Sequence, residues 1–226
     1  VASLDYHWNM IEVRISPDSL PPWGAALGAT LAALLTRSVA MGVLAGKPVT
    51  RLDAAVVKRL AAALQRHGIG ANAGLILAPL AVEPARAIDD ATQRCVADGL
   101  DRLSEALEAS ATPSTEWPSM RGVFGDEVLV ELLGVGASSL RRYASGERAT
   151  PDEVAARLHW LAMVVADLAG AYNDFGIRRW FERPRSQLDG KSPRQTLGAA
   201  WTPEDAAAAR VRALAAVLSG AQPLAA

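Results

Sequence analysis

Apolar residues recur at intervals of three and four along most of this chain, and this spacing limits the fold more than any other feature. Leu100, Leu103 and Leu107 form such a stripe within residues 88 to 109. Further helices are predicted over residues 23 to 45, 53 to 67, 126 to 133, 137 to 144, 151 to 172, 174 to 182 and 203 to 219. We therefore expect a mainly α fold.

One short segment near the start has a different period. Residues 10 to 16 (MIEVRIS) alternate, so that Ile11, Val13 and Ile15 share one face. A period of two is typical of a half-buried strand, and Pro17 is expected to end it. The sequence thus predicts one short strand beside the N-terminal helices.

The best candidate for a domain boundary is the segment 111 to 119 (ATPSTEWPS). It combines two prolines with small polar residues, and the helical spacing stops there. We expect an N-terminal helical extension of unknown role over residues 1 to 112. A small domain over 119 to 155 and a second over 156 to 226 are expected to follow.

The segment 124 to 148 (FGDEVLVELLGVGASSLRRYASGER) has the spacing of a helix-turn-helix. Gly134 suits a tight turn, and Val130 lies where the two helices would touch. Val135, Leu140 and Tyr143 are predicted to face the core. The second helix of such a motif enters the DNA major groove, where arginine pairs well with guanine. The DNA-binding candidates are Ala137, Ser138, Arg141, Arg142 and Arg148.

The charge balance argues for a local DNA-binding patch rather than a general one. The whole chain has a formal net charge of −1. Residues 121 to 157 contain five arginines and six acidic residues, which also gives −1. This is less basic than is usual for a strong DNA binder, so a helical hairpin that merely shares the spacing stays open as an alternative.

The segment 180 to 197 (WFERPRSQLDGKSPRQTL) fits the pattern W-[FL]-x-x-P-x-x-x-L-x-G-x-x-P-x-x-x-L. Trp180 is expected to end an amphipathic helix that Pro184 stops, and Gly190 permits the chain to reverse. Ser192 is predicted to cap the next helix, with Pro193 in its first turn. We expect Trp180, Leu188 and Leu197 to be mainly core residues.

This segment resembles the signature of the Xre/MbcA/ParS-like toxin-binding domain, and the SGER at 145 to 148 resembles the loop after the recognition helix of Xre-family regulators. The resemblance implies an antitoxin of a type II toxin-antitoxin system that neutralises a RES-type, NAD-consuming toxin and represses its own operon. In the family the C-terminal stretch, here 201 to 226, lies over the toxin's active site. The toxin-binding candidates are Trp180, Pro184, Leu188, Gly190, Pro193, Leu197, Trp201 and Arg210.

The N-terminal extension of about 110 residues departs from the compact members of that family. A stand-alone helix-turn-helix repressor or phage-type regulator, with this extension used for oligomerisation or effector sensing, is therefore the alternative. Residues 176 to 194 hold six basic and two acidic residues, a net charge of +4, which suits an acidic protein surface or DNA phosphate. A solvated helix face explains the charge equally well.

The histidines and the single cysteine are too scattered along the sequence to indicate a catalytic or metal site. His7, His67 and His159 have no second ligand at metal spacing, so we expect no metal and no cofactor. Cys95 is the only cysteine and is predicted to be a buried thiol of a cytoplasmic protein. The longest apolar run, about 13 residues from Trp23, is too short for a membrane span. Palindromic operators have two half-sites that two copies of a protein bind, so we expect a homo-oligomer.

Overall fold

Ten α-helices make up most of the chain that the structure describes. The computed structural model describes residues 13, 15 and 21 to 219. The helices are α1 (Ala25–Ala40), α2 (Ala54–Arg66), α3 (Ala73–Leu77), α4 (Asp90–Glu108), α5 (Pro113–Leu133), α6 (Ala137–Ala144), α7 (Asp152–Ala169), α8 (Asp174–Glu182), α9 (Pro193–Leu197) and α10 (Ala206–Ala216). Short 3₁₀ turns cover Ala78–Leu80, Ser186–Leu188 and Val217–Ser219. The predicted mainly α fold is confirmed.

Side-chain caps explain why several helices begin where the sequence predicts. The Asp53 carboxylate accepts a hydrogen bond of 2.9 Å from the Val56 N–H at the start of α2. Asp89 accepts one of the same length from the Thr92 N–H at the start of α4. Each cap satisfies an N–H that has no partner within the helix.

The predicted strand over residues 10 to 16 lies mostly outside the described residues. Val13 forms an isolated parallel bridge with Val49. Within the described part of the chain this bridge is the extent of the β structure, so the short strand is not seen.

The candidate domain boundary at residues 111 to 119 coincides with the start of α5, so this segment is largely helical. Pro113 occupies the first turn of α5. Backbone N–H groups in a first turn have no partner within the helix, so the proline removes no helical hydrogen bond. Trp117 is buried, and its indole N–H donates to the Thr150 hydroxyl at 2.9 Å. Helix α5 bends at Gly125, which has a φ of 73°, and so consists of two segments.

The described N-terminal helices pack directly on the C-terminal ones. Helix α1 contacts α4, α5 and α7. The Ser119 hydroxyl of α5 donates to the Ala40 carbonyl at 2.7 Å. A Cβ on Gly42 would lie only 2.4 Å from the Thr115 carbonyl oxygen, so the backbones meet closely here. One hydrophobic core therefore runs through the described chain.

A polar network lies inside this junction. Glu108 of α4 accepts hydrogen bonds from Arg212 of α10, one of them 2.6 Å long, and lies 3.4 Å from Arg37 of α1. His159 of α7 contacts the fully buried Glu116 through Nδ1 at 2.6 Å and donates from Nε2 to the Glu108 carbonyl at 3.0 Å. Five helices thus share one set of charges.

Two groups of α7 titrate abnormally in this network. Burial by itself lowers the pKa of His159, but the hydrogen bond and charge of Glu116 outweigh it and raise the pKa above its ordinary value. Burial raises the pKa of Asp167 to about 6, although Arg212 and Arg37 oppose the shift. Both groups therefore favour the folded state more at low pH than at high pH.

No single helix in the described residues is long and apolar enough to cross a membrane, and α7 with α8 meets that criterion only as a pair bent by 113°.

The raised pKa of Asp167 predicts a pH-dependent gain in stability for Asp167→Asn. The folded-state pKa of about 6 exceeds the ordinary 3.8, so the stabilising contribution is present below about pH 4 and is lost as the pH rises through 6. Relative to the wild type, the free energy of unfolding of the variant is expected to rise by about 2 kcal/mol between about pH 4.5 and pH 8. Urea denaturation at both pH values measures this difference.

The matched control is Asp101→Asn on the exposed face of α4. It is expected to follow the wild type at both pH values. His159 is present in all three proteins, so its titration largely cancels in the comparison. A difference between Asp167→Asn and the wild type that does not change with pH would contradict the assignment.

Candidate functional site

The segment predicted as a helix-turn-helix folds into two helices joined by a short turn: the second segment of α5, residues 126 to 133, and α6. Gly134 ends the first helix in the left-handed conformation, with a φ of 65° and a ψ of 35°. The Val135 N–H donates to the Val130 carbonyl at 3.2 Å, which closes the turn. Residues 134 to 136 are thus the whole connection between the two helices.

Helix α6 is anchored by the residues predicted to face inward. Leu140 is fully buried and Tyr143 is 8% exposed. The Tyr143 ring stacks on Trp117 with 6.4 Å between ring centroids. Val130 and Val135 are partly buried and pack against the core. These contacts fix which side of α6 faces outward.

The DNA-binding candidates lie together on that outward side. All five are exposed, and we call them the α6 face: Ala137, Ser138, Arg141, Arg142 and Arg148. Arg148 follows the helix, but its N–H donates to the Arg142 carbonyl at 3.1 Å. Its guanidinium lies over the Tyr143 ring, 5.6 Å from the centroid. The loop arginine is therefore held beside those of the helix.

The charge of the α6 face is locally positive. Helix α6 contains no acidic residue, and neither Arg141 nor Arg142 has an ion-pair partner within 4 Å among the described residues. Two of the four acidic residues of the motif are engaged with other arginines: Asp126 pairs with Arg121 and Glu131 pairs with Arg194, each at 2.6 Å. Three arginines therefore lie on the α6 face despite the net charge of −1 over residues 121 to 157, and the exposed Glu147 lies next to Arg148.

Asp126 is an acidic residue whose negative charge interacts with the α6 face. The hydrogen bond from Arg121 lowers the pKa of Asp126, burial opposes the shift, and the charge of Arg141 assists it. Asp126 is therefore ionised and lies within electrostatic range of Arg141. Its charge is largely balanced by the two-point contact with Arg121, of 2.6 and 2.9 Å.

The turn is clamped by a segment distant in sequence. The Trp201 indole donates to the Leu132 carbonyl at 2.7 Å. Arg157 of α7 donates to the Leu133 carbonyl at 2.8 Å and to the Trp201 carbonyl at 2.6 Å. Helix ends leave their last carbonyls without helical partners, and these donors satisfy them. Sequence reasoning missed Arg157, because no local pattern connects it to residues 133 and 201.

Trp201, one of the toxin-binding candidates, lies in the interior and not on the surface. Trp201 is 2% exposed and packs edge-on against Trp160, with 4.7 Å between ring centroids. Its indole N–H is already used in the clamp. An apolar ring with one donor is stable in the interior when that donor is satisfied. Trp201 therefore supports the turn from inside.

The described part of the stretch 201 to 226 folds back on the core. Helix α10 packs on α7 and α9, and its residues Ala208, Val211 and Ala215 are buried. Arg210 is exposed, and its guanidinium donates to the Gln187 carbonyl and the Asp189 carboxylate, both at 2.9 Å. Residues 220 to 226 lie outside the described chain.

The core residues of the C-terminal motif have the predicted positions. Trp180, Leu188 and Leu197 are all buried. Pro184 is exposed and lies two residues after Glu182, the last residue of α8. The architectural part of the prediction is confirmed, and the toxin-binding role of these residues stays a prediction.

The reversal between α8 and α9 also follows the predicted chemistry. Gly190 has a φ of 78°, which its lack of a side chain permits. The Ser192 hydroxyl accepts from the Gln195 N–H at 3.2 Å, and the Gln195 side chain accepts from the Ser192 N–H at 2.9 Å. This reciprocal capping box starts α9, with Pro193 buried in its first turn.

Cys95 differs from the prediction, since the thiol-bearing residue is exposed. The buried stripe of α4 runs through the neighbouring Val96 and then Leu100, Leu103 and Leu107. Cys95 lies off this buried stripe. The apolar character of cysteine alone did not indicate which face of the helix it occupies. Within the described residues, no group of three or more histidine, cysteine or acidic side chains is arranged to hold a metal ion.

No family model, curated protein or solved structure matched this chain. The assignment of function therefore depends on the residues and their geometry.

Because the turn at Gly134 packs closely against the segment before α10, we expect Gly134→Ala to destabilise the protein unusually strongly. A Cβ at Gly134 would lie 2.4 Å from the Ala199 carbonyl oxygen, and the residue also has a φ of 65°. The substitution is expected to lower the free energy of unfolding by about 3 kcal/mol or more, from conformational strain together with overlap. Urea denaturation measures the loss.

Gly146→Ala is the matched control, because Gly146 has a φ of 75° but nothing within 4 Å of the added Cβ. It is expected to cost only about 1 to 2 kcal/mol, the strain of the left-handed conformation. Equal losses for the two variants would show that residue 199 does not restrict the turn.

Proposed function

We propose that this protein is a DNA-binding regulator that also captures a protein partner, as the antitoxin of a type II toxin-antitoxin system. The observation that carries the DNA-binding part is the α6 face. It combines two unpaired helix arginines, small neighbouring residues and a third arginine held beside them by the following loop.

The α6 face has the chemistry needed for the major groove of an operator. Ala137 and Ser138 are small enough to let the start of the helix approach base edges closely. Arg141 and Arg142 can reach guanine O6 and N7 or a phosphate, and Arg148 can hold the DNA backbone. The buried Leu140 and Tyr143 keep the helix in one orientation. Two copies on a palindromic operator would form the binding unit.

The protein-binding part of the proposal depends on the resemblance of residues 180 to 197. The partner in that family is a RES-type toxin that consumes NAD, encoded by a neighbouring gene. The chemistry then belongs to the toxin, and this chain acts in the cytoplasm as an inhibitor and autorepressor rather than as an enzyme. Surface residues of α8 to α10, Arg210 among them, are the contacts available to such a partner.

Removing the helix arginines is expected to weaken operator binding strongly. Each good arginine contact to a base contributes about 1 to 3 kcal/mol, so Arg141→Ala with Arg142→Ala should raise the Kd by about 100-fold. Fluorescence anisotropy with the DNA upstream of the gene, at a fixed salt concentration, measures the change.

The control is Arg102→Ala, which removes an exposed arginine from α4. Its Kd for the same DNA should stay within about twofold of the wild type, since one exposed charge outside the contact surface adds little. If the double variant binds as tightly as this control, α6 is not the recognition helix.

Co-expression with the product of the adjacent gene tests the antitoxin role. We expect the chain to restore growth and to co-elute with that product on a sizing column. The Arg141→Ala, Arg142→Ala variant should rescue growth equally well, because neutralisation requires binding of the toxin only. Specific binding to upstream DNA without any complex would instead favour the stand-alone repressor.

A further inference from the structure

A small pocket opens beside α8. Its volume is about 160 Å³. Three aromatic residues, Tyr172, Phe175 and Trp180, and three arginines, Arg179, Arg183 and Arg185, line it. The pocket is thus apolar on its walls and strongly basic, a combination that neither the helix-turn-helix nor the motif pattern predicted.

The aromatic walls hold two of the arginines in place. The Arg179 guanidinium lies over the Phe175 ring, 5.7 Å from its centroid, and that of Arg185 lies over the Trp180 ring at 4.8 Å. Phe175 is nevertheless 54% exposed, which is unusual for so large an apolar side chain. A guanidinium stacked on a ring keeps its N–H edge available for a planar acceptor.

Two buried donors in the pocket lack an acceptor. Trp180 is 1% exposed, and its indole N–H has no hydrogen-bond partner. The Nε of Arg185 is likewise buried without one. A buried donor left unsatisfied costs about 1 to 3 kcal/mol, and native proteins rarely leave two of them together. Neither atom is accessible from outside, so the donors that a partner meets directly are the exposed guanidinium groups of Arg179 and Arg183.

The surrounding charges favour an anion. Arg178 donates to the Val123 carbonyl, and Arg194 pairs with Glu131, so both are engaged away from the pocket. The three pocket arginines have no ion-pair partner within 4 Å among the described residues. Asp189, one of the two acidic residues of the segment 176 to 194, is paired with Arg210. No carboxylate lines the pocket.

We propose that this pocket binds an aspartate or glutamate side chain, together with an apolar neighbour, on the surface of the protein partner. The carboxylate supplies acceptors to the arginines, and the apolar side chain covers Phe175 and Tyr172. A DNA phosphate would satisfy the charge but leave the aromatic walls exposed. This inference rests on the proposed function, which supplies the partner protein. It adds the type of side chain on that partner that the pocket binds.

The first test reverses the charge of the rim. Arg179→Glu with Arg183→Glu is expected to raise the Kd for the adjacent-gene product at least tenfold, measured by biolayer interferometry, because the acidic group would then face two like charges. The matched control, Arg102→Glu, should change the Kd less than twofold. Operator binding by the rim variant should equal that of the wild type, which shows that it is folded. Unchanged affinity for the partner overturns the proposal.

The second test uses a defined probe and needs no partner. The dipeptide acetyl-Phe-Glu-amide should shift the indole N–H resonance of Trp180 in a saturable way, whereas acetyl-Phe-Gln-amide and inorganic phosphate should not. A shift that is absent, that the glutamine peptide reproduces, or that phosphate reproduces overturns the proposal.

The two tests separate failure of the inference from failure of the proposed function. If the wild type forms no complex with the adjacent-gene product, the antitoxin role fails, and the dipeptides alone decide the chemistry of the pocket. If the complex forms and the rim variant forms it equally well, the antitoxin role stands and the pocket is not its contact.

Discussion

The burial of α7 is the constraint around which the rest of the structure is arranged. From Leu158 to Leu168 every residue of this helix is buried, so neighbours must cover all of its sides. Helices α1, α5, α8 and α10 provide that cover. The cost is that His159 and Asp167, which lie on the same helix, must find polar partners in the interior. The charges supplied by α1, α4, α5 and α10 meet this need, which explains why the N-terminal helices and the C-terminal ones share one core.

The orientation of α6 depends on the same arrangement. Arg157 extends from α7 to the end of the first helix of the motif, and Trp201 reaches it from the segment before α10. The turn at Gly134 is therefore held by residues that belong to the C-terminal region. A change in that region alters the support of the DNA-binding candidates even though it touches none of them. The two halves of the proposed function are physically connected through this clamp.

Local patterns predicted the helices well, and long-range contacts limited the rest. The capping residues, the stripe of α4 and the turn at Gly190 depend on neighbours in sequence, so they could be read directly. The start of α5 within residues 111 to 119 could not be predicted, because a proline in the first turn of a helix resembles a proline in a loop. The interior position of Trp201 required a carbonyl 69 residues away, which no local pattern contains. The pocket was missed for the same reason, since its residues were seen only as a positive segment.

The two basic surfaces differ in a way that points to different partners. The α6 face presents arginines beside small side chains on a single helix, which suits the edges of bases and the phosphates beside them. The pocket beside α8 presents arginines against aromatic rings and includes two donors without acceptors. Aromatic and arginine side chains dominate the binding energy of protein interfaces, where an apolar contact and a charge contact are made together. The chemistry of each surface, more than its net charge, therefore separates the proposed DNA-binding role from the proposed protein-binding role.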